Sequence, residues 1–146
     1  MGGQAMIVMT EEQKRAIDAH GEETYPNECC GIMLGEVLDD GTKVLEELLP
    51  VDNSREDGEQ YHRFEIKAED LLEAEKVAAS RHLDVVGFYH SHPDHPSIPS
   101  EYDRSHAFLF YSYIIVAVEK GRAGAFTSWE LDKDFQFESE KLTIKE

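Results

Sequence analysis

Residues 83–119 read "LDVVGFYHSHPDHPSIPSEYDRSHAFLFYSYIIVAVE", and this stretch decides the fold. Its first part, "LDVVGFYH" (83–90), is rich in β-branched and aromatic residues and predicts a strand. Its last part, "SYIIVAVE" (112–119), is an unbroken apolar run that predicts a central buried strand. Between them lies a loop with Pro93, Pro96 and Pro99, and then "SEYDRSHAFLF" (100–110), which predicts a helix starting at Ser100. Strand, loop, helix and buried strand in that order indicate a mixed α/β domain with helices packed on a sheet.

The flanking sequence extends this plan. "TEEQKRAIDAHGEET" (10–24) opens as a capping box, Thr10 with Glu12 and Gln13 behind it, and predicts a helix to about His20. "CCGIMLGEV" (29–37) reads as a buried strand, and "TKVLEELLPV" (42–51) pairs with it as a hairpin across "DDG". In "KAEDLLEAEKVAASRH" (67–82), Leu71, Leu72, Ala74, Val77 and Ala78 recur at helical spacing and predict a second amphipathic helix. Two alternating segments, "GAFTSWELD" (124–132) and "FQFESEKLTI" (135–144), predict two further strands near the sheet edge.

A chain of 146 residues, 40% of them hydrophobic, suffices for one core and is short for two. Residues 6–146 are read as a single domain and residues 1–5 as an N-terminal extension. No apolar run approaches the roughly 20 residues that span a bilayer, and "MGGQAMIVMT" lacks the basic start and long apolar stretch of a signal peptide. The net charge of −17 comes from 31 acids against 14 bases. Such a field repels phosphate backbones and anionic membranes, so nucleic acid and membrane partners are not expected. A surface of this sign also maintains solubility in a salty cytoplasm. Cys29 and Cys30 are adjacent, where a disulfide would be strained. They fit inert buried thiols in a reducing cytoplasm rather than a secreted disulfide scaffold.

The chemistry concentrates in the loop. His90 and His92 stand two apart at a strand end, so their side chains share one face with Cα atoms about 6.5 Å apart, a chelating arrangement. Zinc takes imidazole nitrogens and in catalytic sites leaves one position open, which calls for a third protein ligand. Asp103, which follows His92 after ten intervening residues and falls in the first turn of the expected helix, is the candidate. The three prolines stiffen the return that brings it back. His95, in the proline-bound loop, and His106, beyond Asp103, are read as non-ligands. Ser100 with Asp103 is equally a plain N-cap followed by an acid. A metal-assisted hydrolase also needs a carboxylate that takes and returns a proton. Glu22, Glu23, Glu28 and Glu36 are all available, and spacing alone does not choose among them.

"HSHPDHPSIPSEYD" (90–103) resembles the JAMM signature of the MPN-domain metalloproteases: His-x-His, ten residues, then Asp, with a serine three before it. "YPNECCGIMLGE" (25–36) resembles that family's upstream element, a glutamate just before a hydrophobic strand, and this selects Glu28. The resemblance runs over about residues 10–132. It implies a curved mixed sheet between helices, similar to the cytidine deaminase architecture. It also implies Zn2+ held by His90, His92 and Asp103, Glu28 as the general acid/base acting on a zinc-bound water, and Ser100 as a donor to the oxyanion. The implied activity is a zinc-dependent peptidase or isopeptidase cutting after the C-terminal tail of a ubiquitin-like protein. The short form of the chain is similar to prokaryotic members, some of which trim a sulfur-carrier protein with a flexible tail. Two alternatives are a non-catalytic MPN-type binding scaffold and a zinc hydrolase of small molecules such as a deaminase. Against the first stands the complete set of His90, His92, Asp103 and Glu28; against the second, the absence of the "PCxxC" metal-binding pair.

Overall fold

The computed structural model describes residues 6–53 and 65–146; the expected N-terminal extension, residues 1–5, lies outside the described residues. The elements run β1 (Met6–Thr10), α1 (Glu11–Thr24), β2 (Cys30–Val37), β3 (Lys43–Val51), α2 (Ala68–Ser80), β4 (Asp84–Pro93), α3 (Glu101–Ser105), β5 (Ser112–Glu119), β6 (Arg122–Leu131) and β7 (Phe137–Lys145). The strands follow the spatial order β1-β3-β2-β4-β5-β6-β7 and close into a barrel through a parallel β1–β7 pairing. The expected mixed α/β character is present. β1/β3, β1/β7 and β4/β5 run parallel, and the remaining neighbours run antiparallel.

Three local departures from the sequence reading have physical causes. β1 was not anticipated: only five residues long, it buries Ile7 and Met9 on alternate positions. Because it pairs with β7, the last strands are not at an edge; their ladders continue around the ring. α1 begins with the expected Thr10–Gln13 capping box but continues past His20 to Thr24. Gly21 is buried within it, and a Cβ there would stand 3.0 Å from Val118 Cγ2, so this glycine permits close packing rather than ending the helix. α3 starts after Ser100 as expected but stops at Ser105, because none of its residues is buried and no apolar face is covered that would hold the continuation. Phe108 and Phe110 beyond it are exposed.

Two cores lie on opposite faces of the strands. One gathers Ile7, Met9, Ile17, Met33, Val86 and Tyr89 beneath α1; the other gathers Ile32, Leu34, Ala74, Ala78, Phe88 and Tyr113 beneath α2. Side chains alternate along a strand, so Phe88 in the α2 core puts His90 and His92 further along the same face of β4. Tyr89 points the other way, its ring lying over Gly31, where any Cβ would fall 2.1 Å from it. Its hydroxyl meets His20 Nδ1 at 2.7 Å.

Candidate metal centre

His90 and His92 occupy the end of β4, a strand paired on both sides, with β2 and with β5. Both are buried, His90 at 1% exposure and His92 at 7%. Asp103 reaches them from the first turn of α3. The separations are 3.2 Å between the two Nε2 atoms, 3.2 Å from His90 Nε2 to Asp103 Oδ1, and 3.0 Å from His92 Nε2 to Asp103 Oδ2. Donors about 2.0–2.1 Å from a tetrahedral zinc stand about 3.4 Å from one another, so the three atoms are spaced as such a site requires.

The hydrogen bonds sharpen that fit. His92 Nδ1 lies 2.8 Å from Pro96 O, and a carbonyl only accepts, so Nδ1 carries the proton. Nε2 of the neutral ring is then left with a lone pair facing a carboxylate oxygen and a second imidazole nitrogen. That grouping repels itself unless a cation or a further proton sits among the three. Burial by itself would push the Asp103 carboxyl up. The adjoining His90 ring first, then the His92 ring and a hydrogen bond from the Ser100 N–H, hold it well below the usual carboxylate range instead. Three buried donors of hard and borderline character, one anionic, fit zinc.

Ser100 is both cap and neighbour to the site. Its Oγ accepts from Asp103 N at 3.0 Å, and its own N–H donates to Asp103 Oδ2 at 2.9 Å. The box thus fixes the rotamer of Asp103, and the Ser100 O–H proton is not used in it.

Glu28, just before β2, is 5% exposed, and its Oε1 has no hydrogen-bond partner among the described residues. Desolvation, and then the charge of Asp103, push its carboxyl up to about 9. It lines a cleft of about 320 Å³ with His92, His95, Pro96, Ile98 and Ser100. A second cleft of about 250 Å³ lies on the His90 and Asp103 side, walled by Ile66, Leu71, Phe88, Phe108 and Tyr113 among others. The triad stands between the two clefts.

Of the four acids left open by spacing, Glu28 alone lines a cleft with one of the triad residues. Glu22 Oε2 accepts from Ala123 N at 2.8 Å, and Glu23 and Glu36 are exposed. Among the described residues His90, His92 and Asp103 form the one cluster able to hold a metal ion. His95 and His106 are outside it, His106 stacked on Tyr102 with ring centroids 4.1 Å apart. Cys29 is buried with its thiol pushed up to about 11, mainly by desolvation, which suits an inert side chain. Sequence reasoning missed the residues that hold the return loop. Tyr25 Oη donates to Asp94 Oδ2 at 2.6 Å, Lys120 N donates to Asp94 Oδ1 at 2.7 Å, and Thr127 and Trp129 grip Ser97 O. Their partners are distant in sequence, and no local pattern marks them.

The family model described as prokaryotic homologs of the JAB domain matches residues 10–132. The chain is similar to a desampylase from Haloferax volcanii, 33% identical over 91 residues, 62% of this chain and 62% of that protein. It is also similar to tail tip assembly protein K of Escherichia phage N15, 34% identical over 98 residues, 66% of this chain but 35% of that protein. The match thus spans under two thirds of either relative's length. Among solved structures, a Desulfitobacterium hafniense protein superposes with a TM-score of 0.84 at 29% identity, over 97% of this chain and 94% of that one. A Salinibacter ruber protein does so at 0.73 and 38%, over 94% and 91%. A JAB1/MPN domain protein from Archaeoglobus fulgidus, at 0.59 and 21% over 99% and 100%, shares the fold.

Proposed function

We propose a function from one premise: the chain belongs to the family of prokaryotic homologs of the JAB domain. On this reading it is a zinc-dependent peptidase or isopeptidase, and residues 6–146 are its single catalytic domain. It hydrolyses the bond after the C-terminal tail of a ubiquitin-like or sulfur-carrier protein. The observation that carries the reading is the convergence of His90, His92 and Asp103 at tetrahedral spacing, one cleft wall away from a buried carboxyl. The likeness to a desampylase supports a ubiquitin-like partner. Two free buried cysteines support a cytoplasmic setting.

His90, His92 and Asp103 would hold zinc, which when bound polarises the scissile carbonyl and makes water a nucleophile near neutral pH. Glu28 takes a proton from the attacking water and returns it to the leaving amine. Its desolvated position gives it a raised proton affinity, and positive charge at the triad opposes that rise, which brings the carboxyl towards the range where it can both accept and donate. Ser100, with its Oγ lone pair engaged by Asp103 N, turns its O–H to the developing oxyanion, a contribution of about 3 kcal/mol to the barrier.

The test is metal content and turnover together. Purified protein should carry about one zinc per chain, lost in His92→Ala. Glu28→Gln should keep the metal and lose hydrolysis of a ubiquitin-like protein whose Gly-Gly tail is joined to a further residue or lysine side chain. Folded protein without affinity for zinc would sink the enzyme reading in favour of a binding scaffold.

A further inference from the structure

We propose that Thr127 and Trp129 on β6 are positioning residues of the metal centre, acting through the Ser97 carbonyl on the orientation of His92. The inference rests on the zinc reading above. Strand register places both residues in rows that begin at the site: His90 pairs with Ile115 and Ile115 with Thr127, while Phe88 pairs with Tyr113 and Tyr113 with Trp129. Paired residues share a face, so the two β6 side chains project on the same side of the sheet as the histidines, from a part of the β5–β6 ladder, Tyr113 to Val116, that has no register break. There they meet the return loop. Thr127 Oγ1 donates to Ser97 O at 2.6 Å, and Trp129 Nε1 donates to the same oxygen at 3.2 Å and to Thr127 Oγ1 at 2.9 Å. Ser97 is 5% exposed, so this carbonyl has little access to water as a substitute partner.

Ser97 follows the residue that orients the ligand. The Pro96 carbonyl that accepts from His92 Nδ1 and the Ser97 nitrogen belong to one planar peptide. Anchoring the Ser97 carbonyl, one peptide plane on, restrains the plane that carries Pro96 O. Pro96 O in turn keeps the His92 proton on Nδ1 and leaves Nε2 for the metal. Outer partners of a metal-bound histidine act in this way, fixing tautomer and ring angle, and their loss weakens metal binding about 10- to 100-fold. Thr127 and Trp129 stand one step further out and touch neither metal nor substrate.

The experiment measures zinc affinity by competition with a chromophoric chelator for the wild type, Thr127→Val, Trp129→Phe and Thr127→Ser, beside thermal melts of each protein without metal. The expected result is about tenfold or greater weakening in Thr127→Val and Trp129→Phe, and near wild-type affinity in Thr127→Ser, which restores the hydroxyl. Melting temperatures of the metal-free proteins should not follow that order. Should Thr127→Val fail to fold, Trp129→Phe against Thr127→Ser still decides. Wild type that binds zinc alongside Val and Phe variants of equal affinity would overturn the positioning role while leaving the enzyme reading intact. Weakening in Thr127→Ser as large as in Thr127→Val would also overturn it, since the hydroxyl would then be irrelevant. Wild type without zinc affinity would remove both.

Discussion

Glu28→Gln in the metal-free protein isolates the electrostatic cost of the candidate base. The unfolded chain ionises this carboxyl near 4.5, whereas the folded protein holds its proton to about 9, chiefly through desolvation. A folded pKa raised above the unfolded one means that the native state binds more protons across the interval. Stability contributed by this group is therefore fully present below about pH 4.5, falls as pH rises, and is lost above about pH 9. The slope is at most about 1.4 kcal/mol per pH unit, and water entering the 320 Å³ cleft reduces it. Glutamine has nearly the same shape and no titration, so the variant should become more stable relative to wild type as pH rises from 5 to 8. Urea unfolding with a chelator present, at several pH values, reads the difference directly. Parallel curves for the two proteins over that range would refute the claim that Glu28 is held protonated by its surroundings. Added zinc should flatten the wild-type curve, since positive charge at the triad favours the carboxylate.

Other consequences follow from the barrel and its charge. Lys43 Nζ lies 2.6 Å from Glu130 Oε2 and 3.5 Å from Glu140 Oε2 in the closed sheet, so Lys43→Met should cost about 3–5 kcal/mol, read by urea unfolding. Adding Glu140→Gln should recover part of that loss. Gly31→Ala drives a methyl into the Tyr89 ring and should destabilise by about 1–3 kcal/mol, with Tyr89→Leu relieving it in the double variant. A ubiquitin-like partner of a chain with net charge −17 should present a basic face, and its affinity should fall between low and high salt; calorimetry showing no salt dependence would assign the charge to solubility alone.

The helices and strands with strong patterns were legible because their chemistry is local. Thr10 and Gln13 signal the start of α1 within four residues, and the short, β-branched run "SYIIVAVE" reads as a strand buried on both faces. The pairing of His90 and His92 was legible for the same reason, as period-two alternation is a property of the chain itself. Barrel closure was not legible. It depends on β1, five residues whose only signal is the alternation of Ile7 and Met9, finding both β3 and β7, with which Met6 pairs 135 residues away at Lys141. Thr127 and Trp129 were invisible likewise, since their shared acceptor is a backbone carbonyl thirty residues earlier.

A bulge reconciles the two demands placed on β4. Against β2, Leu34 pairs with Val85 but Met33 pairs with Gly87, which leaves Val86 as an extra residue. Without it, Val85 would share a face with Gly87 and Tyr89, and α2 would lose a partner. With it, Val85 and Phe88 both meet the α2 core while Val86 joins Tyr89 in the core beneath α1. The valine pair thereby serves both sides of the sheet, Val86 buried and Val85 half-buried. Regular alternation resumes at Gly87, so the phase of His90 and His92 is set by the pairing of Phe88 with Ile32 and Tyr113 rather than by the start of the strand. A one-residue change beyond the bulge, towards Pro93, would turn a histidine away from Asp103. The same change before it, near Asp84, alters only how α2 sits. Tolerance to insertion should therefore switch at Val86, the bulged residue itself, six residues before His92.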